Sequence, residues 1–238
     1  MKIASIDVHH FELTYVHGTY RMSGGRDITS LPSTLVRITS DEGHEGWGEV
    51  CPLGTTYLPA HAGGARAALE LIAPHLIGLD PTNHAAVNDR MDAVLSGHLY
   101  AKSPVDVACW DLTGKAWGAS VATLLGGVRQ ARCPLYFAVP LGTPEAMTDY
   151  VLARRAEGIH RFQLKIGGDP ATDASRARHV VEQTGDEDII VGDANCGGRL
   201  NDAIMAARQL ADLPRFYFEQ PCPTMELCID VRKHTTLP

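Results

Sequence analysis

The chain has no uninterrupted apolar stretch near the roughly 18 residues that cross a bilayer, so no membrane segment is expected. Its first residues, MKIASIDVHHFEL, lack the long apolar core of a secretory signal. Basic residues are in the minority. Lys+Arg is 21 against an Asp+Glu of 28, a formal net charge of −7 over 238 residues. That balance excludes a general nucleic-acid binder, which carries a basic face. It leaves room for an anionic small substrate, because a bound cation reverses the local field. Cysteine is sparse, with six residues and no CxxC pair. That is too few for a disulfide scaffold. The expectation is reduced, mostly buried thiols in a cytoplasmic protein. His9, His10, His44, His61, His75 and His84 are scattered without HxH or HExxH spacing, so surface or core roles are expected for them.

What is present is two patterns in succession. Near-alternating Lys2–Leu13, Thr34–Thr39 with its turn Asp41-Glu42-Gly43, and Gly46–Val50 predict an antiparallel meander. The glycine-containing segment His17–Ser30 between them is predicted as a flexible loop. Helices are predicted at Ala62–Leu76, from Asp80-Pro81-Thr82 to Leu95, and at Val105–Trp117, with Ser103-Pro104 as the last one's start signal. Four apolar runs follow at Leu135–Val139, Phe162–Ile166, Ile189–Asp193 and Phe216–Glu219, their starts 27 residues apart. Helical stretches Thr143–Glu157, Pro170–Thr184 and Asn201–Leu213 separate them. Strands alternating with helices predict an α/β fold with a parallel sheet. The even period is that of a (β/α) barrel. A doubly wound sheet is the alternative, but Leu141-Gly142-Thr143-Pro144 is not a phosphate-cradling glycine loop.

In a parallel barrel the chemistry sits where strands end. The first run ends without an ionisable group. The second gives Gln163 and Lys165, two apart and so facing the same way, into the barrel mouth. The third gives Asp193 and Asn195, and the fourth gives Glu219. Buried ionisable groups at consecutive strand ends are costly unless they compensate one another. Asp and Glu oxygens on adjacent strands suit a hard divalent cation, with Mg²⁺ the natural candidate. A lysine beside such a cation is a usable general base near neutral pH. Bland readings stand beside these. Lys165 could be a solvated strand tip, Asp193 a helix cap, and Glu219 the partner of an arginine. Tyr57, in the Gly/Pro-containing segment Pro52–Pro59, is a candidate pocket aromatic, with an ordinary loop role as the alternative.

Several segments in order carry a resemblance. They are Gly46-Trp47-Gly48-Glu49, the run from Ala101 through Ser103-Pro104 and Trp110-Asp111-Leu112 to Gly114-Lys115, and Leu124-Leu125-Gly126-Gly127. To these are added the Lys165 strand, Val191-Gly192-Asp193-Ala194-Asn195 and Phe218-Glu219-Gln220-Pro221. With them the chain resembles the mandelate racemase/muconate lactonising branch of the enolase superfamily. The resemblance implies a capping domain over residues 1–128 and, from 129 to 238, the first half of a (β/α)₇β barrel. It implies that Lys165 moves the proton next to a substrate carboxylate, and that Asp193 and Glu219 bind Mg²⁺. Gln163, Asn195 and Tyr57 would line the substrate site, and the 17–30 and Tyr57 segments would close over it. Pro52–Leu58 and the general pattern are most similar to enzymes of hydroxyproline and proline-betaine metabolism. That similarity implies dehydration of cis-3-hydroxy-L-proline, with epimerisation of proline-betaine or hydroxyproline-betaine as the alternative. The implied partner is a small carboxylate, a proline-type amino acid or betaine, and the implied assembly is a homo-oligomer.

Two departures from the family pattern are visible. Many members have a lysine where this chain has Gln163, which donates hydrogen bonds but brings no charge. The family's third metal ligand and opposite-face lysine belong to the fifth and sixth strands. The 27-residue period places that fifth strand near position 243, beyond Pro238. The expectation is therefore a chain lacking the second half of its barrel. It would be part of an active lyase or epimerase, or else an inactive chain serving as a binding or interaction module.

Overall fold

A computed structural model of the chain describes residues 1–16, 18–22, 25–55 and 57–238. It forms two compact units, one of residues 1–16 and 29–131, the other of residues 17–28 and 132–238.

In the first unit, alternating sequence makes β1 (Ile3–Thr14), β4 (Ser30–Ser40) and β5 (Glu45–Val50), paired antiparallel in the order β1-β4-β5. Val36 and Ile38 of β4 are fully buried on the face turned toward α1 (Ala62–Ile72) and α3 (Leu99–Trp117). The glycines of Gly46-Trp47-Gly48 explain how closely α3 lies on that sheet. A Cβ at Gly46 would come within 2.0 Å of the Ala108 carbonyl oxygen, and one at Gly48 within 2.0 Å of that of Pro104. α3 begins four residues before Ser103, so Ser103-Pro104 is not its start; Pro104 lies inside the helix. Ala101, Pro104, Val105 and Ala108 are all buried, and this packing extends the helix one turn past the proline signal. Asp80 makes a local turn, accepting from the Thr82 N–H, and Asn83 rather than Asp80 caps α2 (His84–Val94). The short α4 (Val121–Leu124) follows.

In the second unit, β6 (Phe137–Val139), β7 (Arg161–Lys165), β8 (Ile189–Asp193) and β9 (Phe216–Glu219) pair parallel in sequence order. Each is followed by a helix: α5 (Pro144–Arg155), α6 (Pro170–Glu182), α7 (Leu200–Leu210) and α8 (Met225–Arg232). Thr143, Asp169 and Thr224 cap three of these helices, and Pro144 and Pro170 occupy first turns where a missing N–H costs nothing. Val139, Phe162, Leu164, Ile190 and Phe216 form the core with the helices. Four strands and helices in this order are the first half of a (β/α) barrel. The segment predicted as a flexible loop differs: Tyr20–Met22 (β2) and Arg26–Ile28 (β3) pair as a hairpin that clusters with the barrel unit. His17, Ser23 and Gly24 of that segment lie outside the described residues.

The strand predicted from Leu135 starts two residues later, and Leu135 is exposed. The expectation of mostly buried cysteines is also corrected. All six are free, but only Cys109 and Cys222 are buried and Cys133 is exposed. Cys109 lies in the apolar core of the first unit, where burial pushes its thiol up to about 12. No described helix is long and apolar enough to cross a membrane.

Candidate active site

Parallel register builds the site. Lys165 pairs with Asp193, and Asp193 with Glu219, so three ionisable residues occupy one row across the ends of β7, β8 and β9. The row two residues earlier holds Ala138, Gln163, Val191 and Tyr217. Residues two apart on a strand share a face, so Gln163 joins Lys165. The opposite face carries the apolar core.

The side chains meet as this predicts. Lys165 Nζ donates to Asp193 Oδ2 at 2.6 Å and to Gln163 Oε1 at 2.8 Å. Gln163 Nε2 donates to Glu219 Oε2 at 2.8 Å, so the amide bridges the lysine and the second carboxylate. Past the end of β8 the chain turns over with Asn195 in the left-handed region, at φ 46°. That turn folds Asn195 back on Asp193. Its N–H donates to Oδ1 at 2.8 Å and its Nδ2 to Oδ2 at 2.5 Å. Lys165 is 4% exposed and Asp193 1%. The bland readings of these residues are set aside. Lys165 is no solvated tip. α7 is preceded by Arg199 rather than capped by Asp193, and Glu219 meets an amide rather than an arginine.

Five of the six predicted site residues therefore form one hydrogen-bonded cluster. Tyr57 belongs to the other compact unit, half-buried in the turn after β5. The donor set fits a divalent cation. The Asp193 and Glu219 carboxylates, on adjacent strand ends, supply the hard oxygen donors that such an ion takes. Asp193 and Glu219 are the residues that would hold the ion.

Two neighbours escaped the sequence reading. Tyr136 lies just before β6, and burial, then the charges of Glu219 and Asp193, push its phenol above the ordinary value. It stands two residues before Ala138, and this alternation was the available signal. Asp173, in the first turn of α6, accepts from the Gly167 and Gly168 N–H groups directly after the Lys165 strand. An acid in a helix's first turn just after a glycine pair was the signal there.

At the opposite ends of β7 and β8 lies a second polar cluster, His160, Glu187 and Asp188, whose ligand-type atoms lie within 4.8 Å of one another. Arg155 already supplies its positive charge. Its NH2 group is 2.6 Å from Glu187 Oε1 and its Nε 2.9 Å from Asp188 Oδ2.

Comparison with known proteins bears on the family and the fold. The family model described as mandelate racemase/muconate lactonizing enzyme, N-terminal domain, matches residues 19–126. The enolase C-terminal domain-like model matches residues 146–238. A cis-3-hydroxy-L-proline dehydratase of Roseibium aggregatum is 43% identical over 238 residues, covering 100% of this chain and 65% of that protein. An N-succinyl-L-Arg/Lys racemase of Bacillus cereus is 27% identical over 241 residues, with the same two coverages, 100% and 65%. Among solved structures, a mandelate racemase/muconate lactonizing enzyme from Roseovarius nubinhibens ISM superposes with a TM-score of 0.94 at 38% identity. It covers 100% of this chain and 63% of that one. A member of the enolase superfamily from the same source, complexed with magnesium, gives 0.91 at 36% identity, covering 100% and 64%. The chain thus spans 65% of the length of the curated relatives it matches over its whole extent. With the two family models matching residues 19–126 and 146–238, the chain belongs to the mandelate racemase/muconate lactonizing enzyme family of the enolase superfamily.

Proposed function

We propose that this chain carries the base and two of the metal ligands of an enzyme that removes the proton α to a carboxylate and dehydrates cis-3-hydroxy-L-proline. The observation behind it is the Lys165–Asp193–Glu219 row, with Gln163 bridging its two ends. The substrate assignment rests on the 43% identity to the Roseibium dehydratase. Magnesium is the proposed ion, supported by the two adjacent carboxylates and by its presence in a structural relative. A divalent cation on Asp193 and Glu219 would stabilise the negative charge that grows beside a carboxylate as its α-proton leaves.

Lys165, as the neutral amine, takes the proton from C2. Its stem is fixed in β7, and Gln163 and Asp193 hold its nitrogen, so it meets the substrate with little reorganisation. The electron pair left at C2 forms the C2=C3 double bond, and the C3 hydroxyl leaves as hydroxide, which takes a proton from solvent to become water. Asn195 keeps the Asp193 carboxylate oriented through two hydrogen bonds.

The test is NMR in D₂O on the full-length protein with cis-3-hydroxy-L-proline and, separately, proline-betaine. Loss of the C2 proton signal together with an unsaturated product from the first supports the dehydratase. Inversion of the second without water loss replaces it with an epimerase. No exchange with either overturns the reading.

A further inference from the structure

We infer that Asp173 and Arg176 form a buried clamp that positions Lys165, an inference that rests on reading Lys165 as the base. Asp173 is 2% exposed. One of its oxygens, Oδ2, accepts from the Gly167 N–H at 2.8 Å and the Gly168 N–H at 2.7 Å. The other, Oδ1, accepts from Arg176 at 3.0 Å. Arg176 then reaches the loop after β6, where its Nε donates to the Gly142 carbonyl at 2.8 Å. One ion pair therefore ties together the loops that leave β6 and β7 at the chemical end of the sheet.

Helix capping does not explain this aspartate. Asp169 already caps α6, accepting from the Thr172 N–H at 2.9 Å. Asp173 instead gives one oxygen to the segment that follows Lys165 and the other to Arg176. That segment is also held from the other side. Ile166 N–H donates to the Asp193 carbonyl at 3.0 Å. Gly167 takes φ +107°, and a Cβ there would lie 2.8 Å from the Ala194 carbonyl oxygen. Residues 166–168 are thus wedged between the exit of β8 and the Asp173 carboxylate. A shift of this wedge carries Lys165 Nζ away from Asp193 and Gln163. The hairpin joins the same frame: Leu141, next to Gly142, makes a long 3.5 Å hydrogen bond from its N–H to the Arg21 carbonyl. Asp173 and Arg176 are accordingly positioning residues that act through Lys165.

The test compares Arg176→Met, Arg176→Lys and Asp173→Asn with Lys165→Ala in the full-length protein. A misplaced base lowers kcat rather than substrate affinity. Arg176→Met is expected to lower kcat about 100-fold, the scale of a one-ångström misplacement, with KM nearly unchanged and the Mg²⁺ titration unaltered. Arg176→Lys, which keeps a cation on Asp173, should recover most of kcat. Wild-type kcat per folded molecule in Arg176→Met, or equal losses in the Met and Lys variants, would overturn the clamp. Should Asp173→Asn not fold, the arginine pair alone decides. A second measurement needs no turnover. Acylation of the Lys165 amine, followed by mass spectrometry in the metal-free protein, should be faster in Arg176→Met than in wild type. Equal rates overturn the clamp whatever the identity of the base. Wild-type C2 exchange in Lys165→Ala instead sinks the reading of Lys165, leaving the labelling result to judge the clamp separately.

Discussion

Two aspartates guard the two ends of β8, each 1% exposed, and they differ in what they could release. Asp188 sits before the strand. It accepts from the Gly185 N–H at 2.7 Å and from His160 Nδ1 at 2.9 Å, and Arg155 Nε lies 2.9 Å from its second oxygen. Its partners are a backbone group, an imidazole and an always-charged guanidinium. Burial alone would push its carboxyl up, but these hydrogen bonds and the Arg155 charge outweigh it and hold it below the usual carboxylate range. Asp193, at the strand's other end, is equally buried but shares a lysine with an amide and faces a second carboxylate one strand away. A lysine can give up its proton and a carboxylate pair can take a cation, whereas a guanidinium does neither. Burial and charge are matched at the two ends; exchangeability of the partners separates a strut from a site.

The sharpest break in this comparison comes from the lysine. Lys165→Ala is expected to slow C2 proton exchange by about 10²–10⁴-fold, the range a positioned base supplies, while leaving Mg²⁺ binding in place. NMR exchange and a metal titration measure both. Undiminished exchange would reduce Lys165–Asp193 to a second strut. Next, Asp193→Asn should weaken Mg²⁺ by more than the roughly 10–100-fold that changes to a ligand's outer partners cost, read by calorimetry. Asp188→Asn should leave metal affinity unchanged. If both substitutions weaken the metal equally, the two ends are not distinct.

Asp188→Asn has its own effect, on stability. Removing one partner of a buried pair costs about 3–5 kcal/mol, so its denaturation midpoint should fall clearly, with kcat per folded molecule retained. Loss of kcat without loss of stability would reverse the roles of the two ends.

Much of this contrast was legible in the sequence. The spacing of the apolar runs placed β8 and β9 residue for residue, because a strand buried on one face and facing a barrel interior on the other leaves few alternative registers. Lys165, Asp193 and Glu219 followed from strand ends alone. The hairpin in 17–30 was not legible: its strands are three residues long and its pairing is set by packing in the barrel unit rather than by alternation. The start of α3 was misplaced because Pro104 reads as a first-turn residue, whereas the buried packing of Ala101, Pro104, Val105 and Ala108 carries the helix back to Leu99. Arg176 was not legible because its far partner, the Gly142 carbonyl, is a backbone group 34 residues away, and Asp173 was signalled only by its place in a helix's first turn after the glycine pair. The His160–Asp188 strut depends on Arg155, 33 residues away in sequence, a separation that local spacing does not reveal.

The smallest effect tests the cause assigned to Asp188. Its carboxyl ionises below the ordinary value in the folded protein. In the unfolded chain it ionises near 3.8. Above that pH both states are ionised and the full contribution to stability is present. As pH falls, the unfolded chain takes up the proton first, so the contribution shrinks and is gone once the pH passes below the folded value. The stability difference between wild type and Asp188→Asn should therefore be constant from pH 7 down to 5 and narrow between 4 and 2, measured by urea denaturation. Each pKa unit of depression is worth about 1.4 kcal/mol of that narrowing. Using the difference cancels the titrating groups remote from Asp188. A gap that stays constant to pH 2 would mean that the strut is held by packing rather than by its ionised carboxylate, and charge would no longer be what the two ends of β8 have in common.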